Sequence, residues 1–379
     1  MAQKAKSTFS LKDQLFNADK VAYLSGLFSA VYPDFKSNQF QQDVVSRFPE
    51  LELKERIAHI TEQLHAYLPA DYLTALDIIL KALPPELDPT LTDDDFGDFI
   101  IGPLNHFVAT YGCSADYLDH SLNAMRAITK RFSAEDAIRY FINAFPEQTL
   151  EFLTDCAIDN NYHVRRWASE GTRPKLPWSQ KLIINHHQPM HILDLLYADH
   201  TRYVTRSVAN HLNDIAKIEP ELVISTLKRW KESDKQNEKE MKWMIQHATR
   251  TLVKNGNQDA LDLMGYGETP DITIENFVTS TPTVKIGEAF EFTFDLTTHS
   301  AQSLMIDYVM DFAGTGTKPG GRKVFKIKLL ESKAGKTQKM KKRHPMRLMT
   351  TRTLYEGKHT ITLQINGQPF DSLSFNLVA

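Results

Sequence analysis

His163-Val164-Arg165-Arg166-Trp167-Ala168-Ser169-Glu170 aligns with Tyr203-Val204-Thr205-Arg206-Ser207-Val208-Ala209-Asn210 at an offset of 40 residues. One step upstream reaches Asn123 to Lys130, with Arg126 in register with Arg166 and Arg206. One step downstream reaches Trp243 to Arg250, where Met244 stands for the valine and Gln246 for the arginine. Ala124, Val164, Val204 and Met244 share one apolar position, and Ile128, Ala168, Val208 and Ala248 share another. Apolar residues four apart on each segment define one helix face for a core. A period near 40 built from helices is the pattern of HEAT-like repeats, which stack into an array with an extended concave surface. Leu53 to Tyr67 and Tyr72 to Leu83 are further expected helices.

The pattern changes near Met264 to Pro270. Beyond it the apolar residues alternate: Phe290, Phe292, Phe294 and Leu296; then Phe325, Ile327 and Leu329; then Ile361, Leu363 and Ile365. Asn366-Gly367 is a turn signal, and Ser372 to Val378 reads as a last strand. Short alternating strands separated by turns predict a β-sandwich. The expected fold is thus α+β in separate domains, an all-α HEAT-like repeat solenoid followed by an all-β immunoglobulin-like sandwich. The expected boundaries are a flexible N-terminus at 1–8, helical repeats at 9–265, a linker at 266–270 and the sandwich at 271–379.

Composition narrows the function classes. Two cysteines, Cys113 and Cys156, are too few for a disulfide framework and suit a reducing cytoplasm. The polar start, Met1 to Ser10, does not read as a signal peptide, and no apolar run reaches the ~18 residues of a membrane span. The net charge of −3 argues weakly against a nucleic-acid partner. Its distribution argues the other way, because residues from Asp271 onward hold 15 Lys+Arg against 10 Asp+Glu. Such asymmetry suits an anionic partner for the basic part. Lys336 to Arg352 is a basic run within it. His186, His187 and His191 lack companions at zinc-ligand spacing, so no metal is expected. No Gly-rich phosphate loop with a following Lys-Ser/Thr is present.

Arg206, Asn210 and Asp214 are spaced four apart and share a helix face, opposite Val204, Val208, Leu212 and Ile215. Arg166 and Glu170 form the matching pair one repeat earlier. Arginine beside carboxylate suits a phosphate backbone next to a reacting sugar. From spacing alone, a structural ladder of ion pairs between repeats fits as well or better.

The run His163-Val-Arg-Arg-Trp-Ala-Ser-Glu-Gly-Thr-Arg-Pro-Lys-Leu-Pro-Trp178 resembles the signature of the AlkC family of alkylation-repair DNA glycosylases. Arg131 to Arg139 and Ser207 to Ile215 resemble it too. The C-terminal region, including Lys341-Lys342-Arg343-His344 and Thr350-Thr351-Arg352, is similar to the immunoglobulin-like domain of some members. Trp167 departs from the smaller aliphatic residue expected there. The resemblance implies hydrolytic removal of cationic N-methylated bases from double-stranded DNA, by a monomer without cofactor or lyase step. It implies catalytic carboxylates at Glu170 and Asp214, and lesion contacts from Trp178 and Glu135. Backbone contacts are then expected from Arg165, Arg166, Arg206, Lys341, Lys342 and Arg343. Taken without the resemblance, Trp178 after Pro177 also reads as a core anchor, and Glu135 as a first-turn carboxylate favoured by the helix dipole. A non-enzymatic repeat scaffold and a damage-recognising DNA-binding module remain open on the residues alone.

Overall fold

A computed structural model describes residues 10–379, apart from 94–95, 268, 316–319 and 349–352. The expected N-terminal segment 1–8 and the stretch Thr350-Thr351-Arg352 lie outside the described residues. The described residues form two compact units, one of those up to 215 with 230–247, the other of those in 216–229 with 248–379.

In the first unit the early helices are α1 (Leu11–Leu15), α2 (Ala18–Val31), α3 (Ser37–Arg47), α4 (Leu53–Tyr67) and α5 (Tyr72–Lys81). Then come α6 (Gly102–Tyr111), α7 (Leu118–Thr129), α8 (Ile138–Ala144) and α9 (Pro146–Cys156). The unit continues through α10 (Tyr162–Gly171), α11 (Met190–Leu196) and α12 (Arg202–Ile215). The chain then forms α13 (Pro220–Glu232), α14 (Glu238–Ala248), α15 (Arg250–Lys254) and α16 (Gln258–Leu263). All eight apolar positions that define the repeat are buried, none more than 1% exposed. Trp167 is fully buried and meets Phe152 edge-on at 6.2 Å, so the larger residue is absorbed as core. No helix among the described residues is long and apolar enough to cross a membrane.

A ladder of ion pairs joins successive repeats. Asp159 and Asp199, 40 apart, each accept the backbone N–H two residues on, at Asn161 and Thr201. Each also receives an arginine from the preceding repeat, Arg126 on Asp159 and Arg165 on Asp199. One repeat later Arg202 and Thr205 meet Glu240 inside α14, and Asn237 instead takes the N–H groups of Lys239 and Glu240. At Asp159 and Asp199 one carboxylate thus shapes a loop and ties it to the helix before it.

Among the described residues the second unit holds eight strands: β1 (Ile272–Thr279), β2 (Thr283–Lys285), β3 (Ala289–Thr298) and β4 (Gln302–Asp311), then β5 (Arg322–Ser332), β6 (Lys336–Pro345), β7 (Gly357–Ile365) and β8 (Gln368–Val378). They form a three-stranded sheet, β1-β3-β6, and a five-stranded sheet, β2-β8-β7-β4-β5. Pairing is antiparallel except between β2 and β8. Phe290, Phe292, Phe294 and Leu296 from one sheet share a core with Ile361, Leu363 and Ile365 from the other. Asn366 and Gly367 both have positive φ, 48° and 76°, as a two-residue type I′ hairpin turn requires. α15 and α16 belong to this second unit, ahead of the composition change at 264–270, and meet the turn between β7 and β8. Gly256 and Gly367 meet so closely that a Cβ on Gly256 would lie 2.9 Å from the Gly367 carbonyl oxygen.

The alternation expected in β5 changes phase. Phe325 and Ile327 face the core, but Leu329 is 39% exposed and Leu330 takes the next inward place. An irregularity in the β4–β5 ladder gives β5 one residue more than β4: Lys328 pairs with Ile306 and Lys326 with Asp307. An extra residue reverses which side chains point inward.

Candidate active site

α10 and α12 bring the two repeat motifs side by side. Ser207 Oγ lies 3.0 Å from Ser169 Oγ, and His211 Nδ1 lies 3.2 Å from the Ser169 carbonyl oxygen. Gly171, at the end of α10, allows close approach to α8, since a Cβ there would lie 2.5 Å from Ile138 Cγ2. A cleft of about 260 Å³ opens beside α10, lined by Glu135, Arg166, Glu170, Trp178, Tyr203 and Arg206 among others. Phe96 reaches the cleft from the segment before α6. Gly97 after it has a φ of 77° and bridges to Phe132, where any side chain would collide with the Arg131 carbonyl.

Glu170 is 5% exposed and Asp214 4%. They are joined by Arg173, which donates from Nη1 to Glu170 Oε1 at 2.6 Å. Its Nε and Nη2 donate to Asp214 Oδ2 at 3.0 and 2.9 Å. Ser207 Oγ donates to the other Glu170 oxygen at 2.6 Å. Burial pushes the Glu170 carboxyl up, but the Arg166 and Arg173 charges and these hydrogen bonds outweigh it. The net result is a carboxylate held below its ordinary range. His211, fully buried behind the pair, is pushed down to about 3 by burial and by the Arg173 charge, so it stays neutral. Nδ1–H is therefore the donor to Ser169, and Nε2 is left buried without a hydrogen-bond partner.

Arg166 donates from Nη1 to Glu135 Oε2 at 2.5 Å and to Ser133 Oγ at 2.8 Å, with Nη2 3.7 Å from Glu170 Oε1. Its guanidinium lies 4.6 Å from the centre of the Tyr203 ring and 5.3 Å from that of Phe96. Burial disfavours its charge, but Glu135 and Glu170 more than restore it. The cleft is thus two aromatic rings and two carboxylates arranged about a cation.

Trp178 is 81% exposed, which removes the core-anchor reading. Its φ of 63° is costly for a bulky residue and is held by its surroundings. Lys54 donates to its carbonyl oxygen, and Ser179 N–H donates to the Leu176 carbonyl. Arg206 lines the cleft and pairs with Asp93. Arg165 does not join this group. It is buried on Asp199 and the carbonyls of Asp159 and Asn160, as part of the ladder. In the second unit, Lys341 and Arg343 are exposed on β6 and share Glu291 of β3, at 2.8 and 3.4 Å. Lys342 points the other way and donates to the Lys326 carbonyl.

Sequence reasoning missed Arg173. The available signal was its place three residues after Glu170, within reach across one helical turn.

Residues 273–379 match a family model described as "Uncharacterised protein YhaZ, C-terminal Ig-like domain". Over 373 residues the chain is 32% identical to the uncharacterized protein YhaZ of Bacillus subtilis (strain 168), covering 96% of this chain and 98% of that one. Among solved structures, Pseudomonas fluorescens alkylpurine DNA glycosylase AlkC, bound to DNA containing an abasic site analog, superposes with a TM-score of 0.86. That match has 35% identity and covers 98% of this chain and 100% of the other. With repeat helices, carboxylate cleft and immunoglobulin-like strands all falling within these alignments, the chain belongs to the AlkC family.

Proposed function

We propose that this protein is a monofunctional DNA glycosylase that removes purines made cationic by N-methylation, of the 3-methyladenine kind, from double-stranded DNA. The observation that carries the reading is the meeting of Glu170 and Asp214, from successive repeats, on one guanidinium beside an aromatic-lined cleft. The whole-length likeness to a DNA-bound alkylpurine glycosylase supports it.

A base carrying a positive charge is already a good leaving group and needs no proton from the protein. What remains is to stabilise the positive charge developing on the sugar and to deliver water to its C1′. Carboxylates serve both ends, by electrostatic stabilisation and as general base. Glu170 and Asp214 take these roles. Trp178 stands exposed to meet the damaged nucleotide, and Glu135 fixes Arg166 at the cleft. Arg166 and Arg206 serve the phosphate backbone, with Lys341 and Arg343 adding contacts from one face of the sandwich, while Lys342, turned the other way onto the Lys326 carbonyl, is left to the contact between β5 and β6. Arg165, engaged by Asp199, is left to the repeat junction. The reaction needs water and no cofactor, and a monomer acting in the cytoplasm suffices.

The test is incubation of the purified protein with methylated duplex DNA, with released bases identified by mass spectrometry. Free 3-methyladenine without strand cleavage is expected. No release, together with tight binding to the same duplex, would leave a damage-recognising module. Neither release nor binding would leave a scaffold.

A further inference from the structure

Arg139 is one of the largest fully buried side chains, at 1% exposed. Its hydrogen bonds all go to backbone carbonyls: Nε donates to Gln180 at 2.7 Å, and Nη1 to Gly171 at 3.1 Å and to Arg173 at 2.8 Å. Burial pushes its guanidinium down to about 10, opposed only by carboxylates that do not touch it. An arginine is an expensive way to fill a core. What this one achieves is to hold both ends of one loop, residues 172–181, against α8. That loop turns Arg173 inward to the two carboxylates and Trp178 outward to solvent.

We propose that Arg139 and Arg173 form a two-arginine frame that positions Glu170 and Asp214 for base removal. Arg139 fixes the loop, and Arg173, carried by it, sets the spacing of two carboxylates that belong to different repeats. The proposal rests on the glycosylase reading. Neither arginine is assigned to touch substrate.

The charged and titratable groups around the pair come from four elements. Arg139 is on α8, with Glu135 and Asp136 just before it. Arg166 is on α10, Tyr203 and His211 are on α12, and Arg173 is on the loop. Without Arg173, Glu170 keeps Arg166 and Ser207, while Asp214 loses two donated hydrogen bonds. The Glu170 carboxyl should then titrate higher, and activity that needs it ionised should fall away at a higher pH.

The experiment is single-turnover release of methylated purine by full-length protein between pH 5 and 9. Arg173→Gln should cut the rate at pH 6 by about 30-fold or more and move the acid limb up by about one pH unit, with DNA affinity changed by less than about 3-fold. Arg173→Lys should restore part of the rate. Arg139→Met should act in the same direction, and Arg139→Lys, which keeps a charged donor, covers the case where the methionine variant does not fold. An unchanged acid limb in Arg173→Gln, or a loss found wholly in DNA affinity, overturns the frame. A wild-type protein that releases no base overturns the glycosylase reading instead. The frame is then read from the carboxyl titration of Glu170 by 13C NMR, which must rise in Arg173→Gln for it to stand.

Discussion

Ser207 Oγ donates to Glu170 Oε2 across a repeat boundary, at 2.6 Å, where both side chains are buried. The serine is the residue that follows Arg206 in one repeat, and Glu170 is four residues after Arg166 in the one before. The carboxylate is therefore aimed from both sides, one oxygen by the neighbouring repeat and the other by Arg173 at the end of its own helix.

Replacing either carboxylate by its amide should preserve most of these hydrogen bonds while removing the charge. Glu170→Gln and Asp214→Asn should each slow base release by about 10²–10⁴-fold. A stability loss of about 1–3 kcal/mol is expected from the buried partners left mismatched. Single-turnover rates, measured below the unfolding transition of each variant, check this. Rates within about 3-fold of wild type in both would remove the pair from the mechanism.

Trp178 makes the opposite demand. Because it is exposed, Trp178→Ala should leave stability within about 0.5 kcal/mol. Base release should fall under the proposed role of this side chain at the damaged nucleotide. Trp178→Gly should be at least as stable as the alanine variant, because glycine adopts the positive φ without strain. Thermal unfolding of the two variants beside their release rates separates the effects. A large stability loss in the alanine variant would return the side chain to a packing role.

His211 gives the fold an acid sensitivity. Its folded-state pKa is about 3, below the ordinary histidine value of 6.5, so the unfolded chain binds the proton more tightly. Stability from this group is complete above pH 6.5 and is lost as pH falls from there toward 3. Between pH 6.5 and 5 the loss is about 2 kcal/mol for His211 alone. His163, lowered to about 4 by burial and the Arg166 charge, adds in the same direction. Urea unfolding at pH 7 and pH 5 should show it, and His211→Gln should flatten the difference. A midpoint independent of pH in the wild type would mean that His211 is not held neutral.

The basic strand is the place to test whether the sandwich meets DNA. Lys341 and Arg343 share Glu291, so part of their charge is already answered within β3 and β6. Replacing Lys341, Lys342 and Arg343 together by alanine should reduce the slope of log affinity against log salt by about 1–2, because each phosphate no longer neutralised takes about one unit off it. An unaltered slope would make this strand a bystander.

Legibility in the sequence divides along physical lines. The repeat could be read because one structural unit recurs, and Val164 and Val204 meet the same core demand. The strands could be read because Phe290 to Leu296 alternate without interruption. The phase change in β5 could not, since an extra residue between paired strands is a backbone event and Leu329 and Leu330 look alike in the sequence. Nor could Arg165 be told from Arg166. Adjacent residues on a helix point about 100° apart, so one turns to Asp199 and the other to the cleft. Arg173 lies just beyond the periodic segment, and its partner Asp214 is 41 positions away, so its place had to come from the folded chain.

The ladder through Asp159 and Asp199 has a bearing on how such a site could change over time. Glu170 and Asp214 sit on neighbouring rungs of one staircase, so under the proposed function the tread depth of the stack is also the gauge of the chemistry. A substitution that alters how α10 settles against α12 would retune both together. Inserting a whole rung between them would not resize the site but dismantle it.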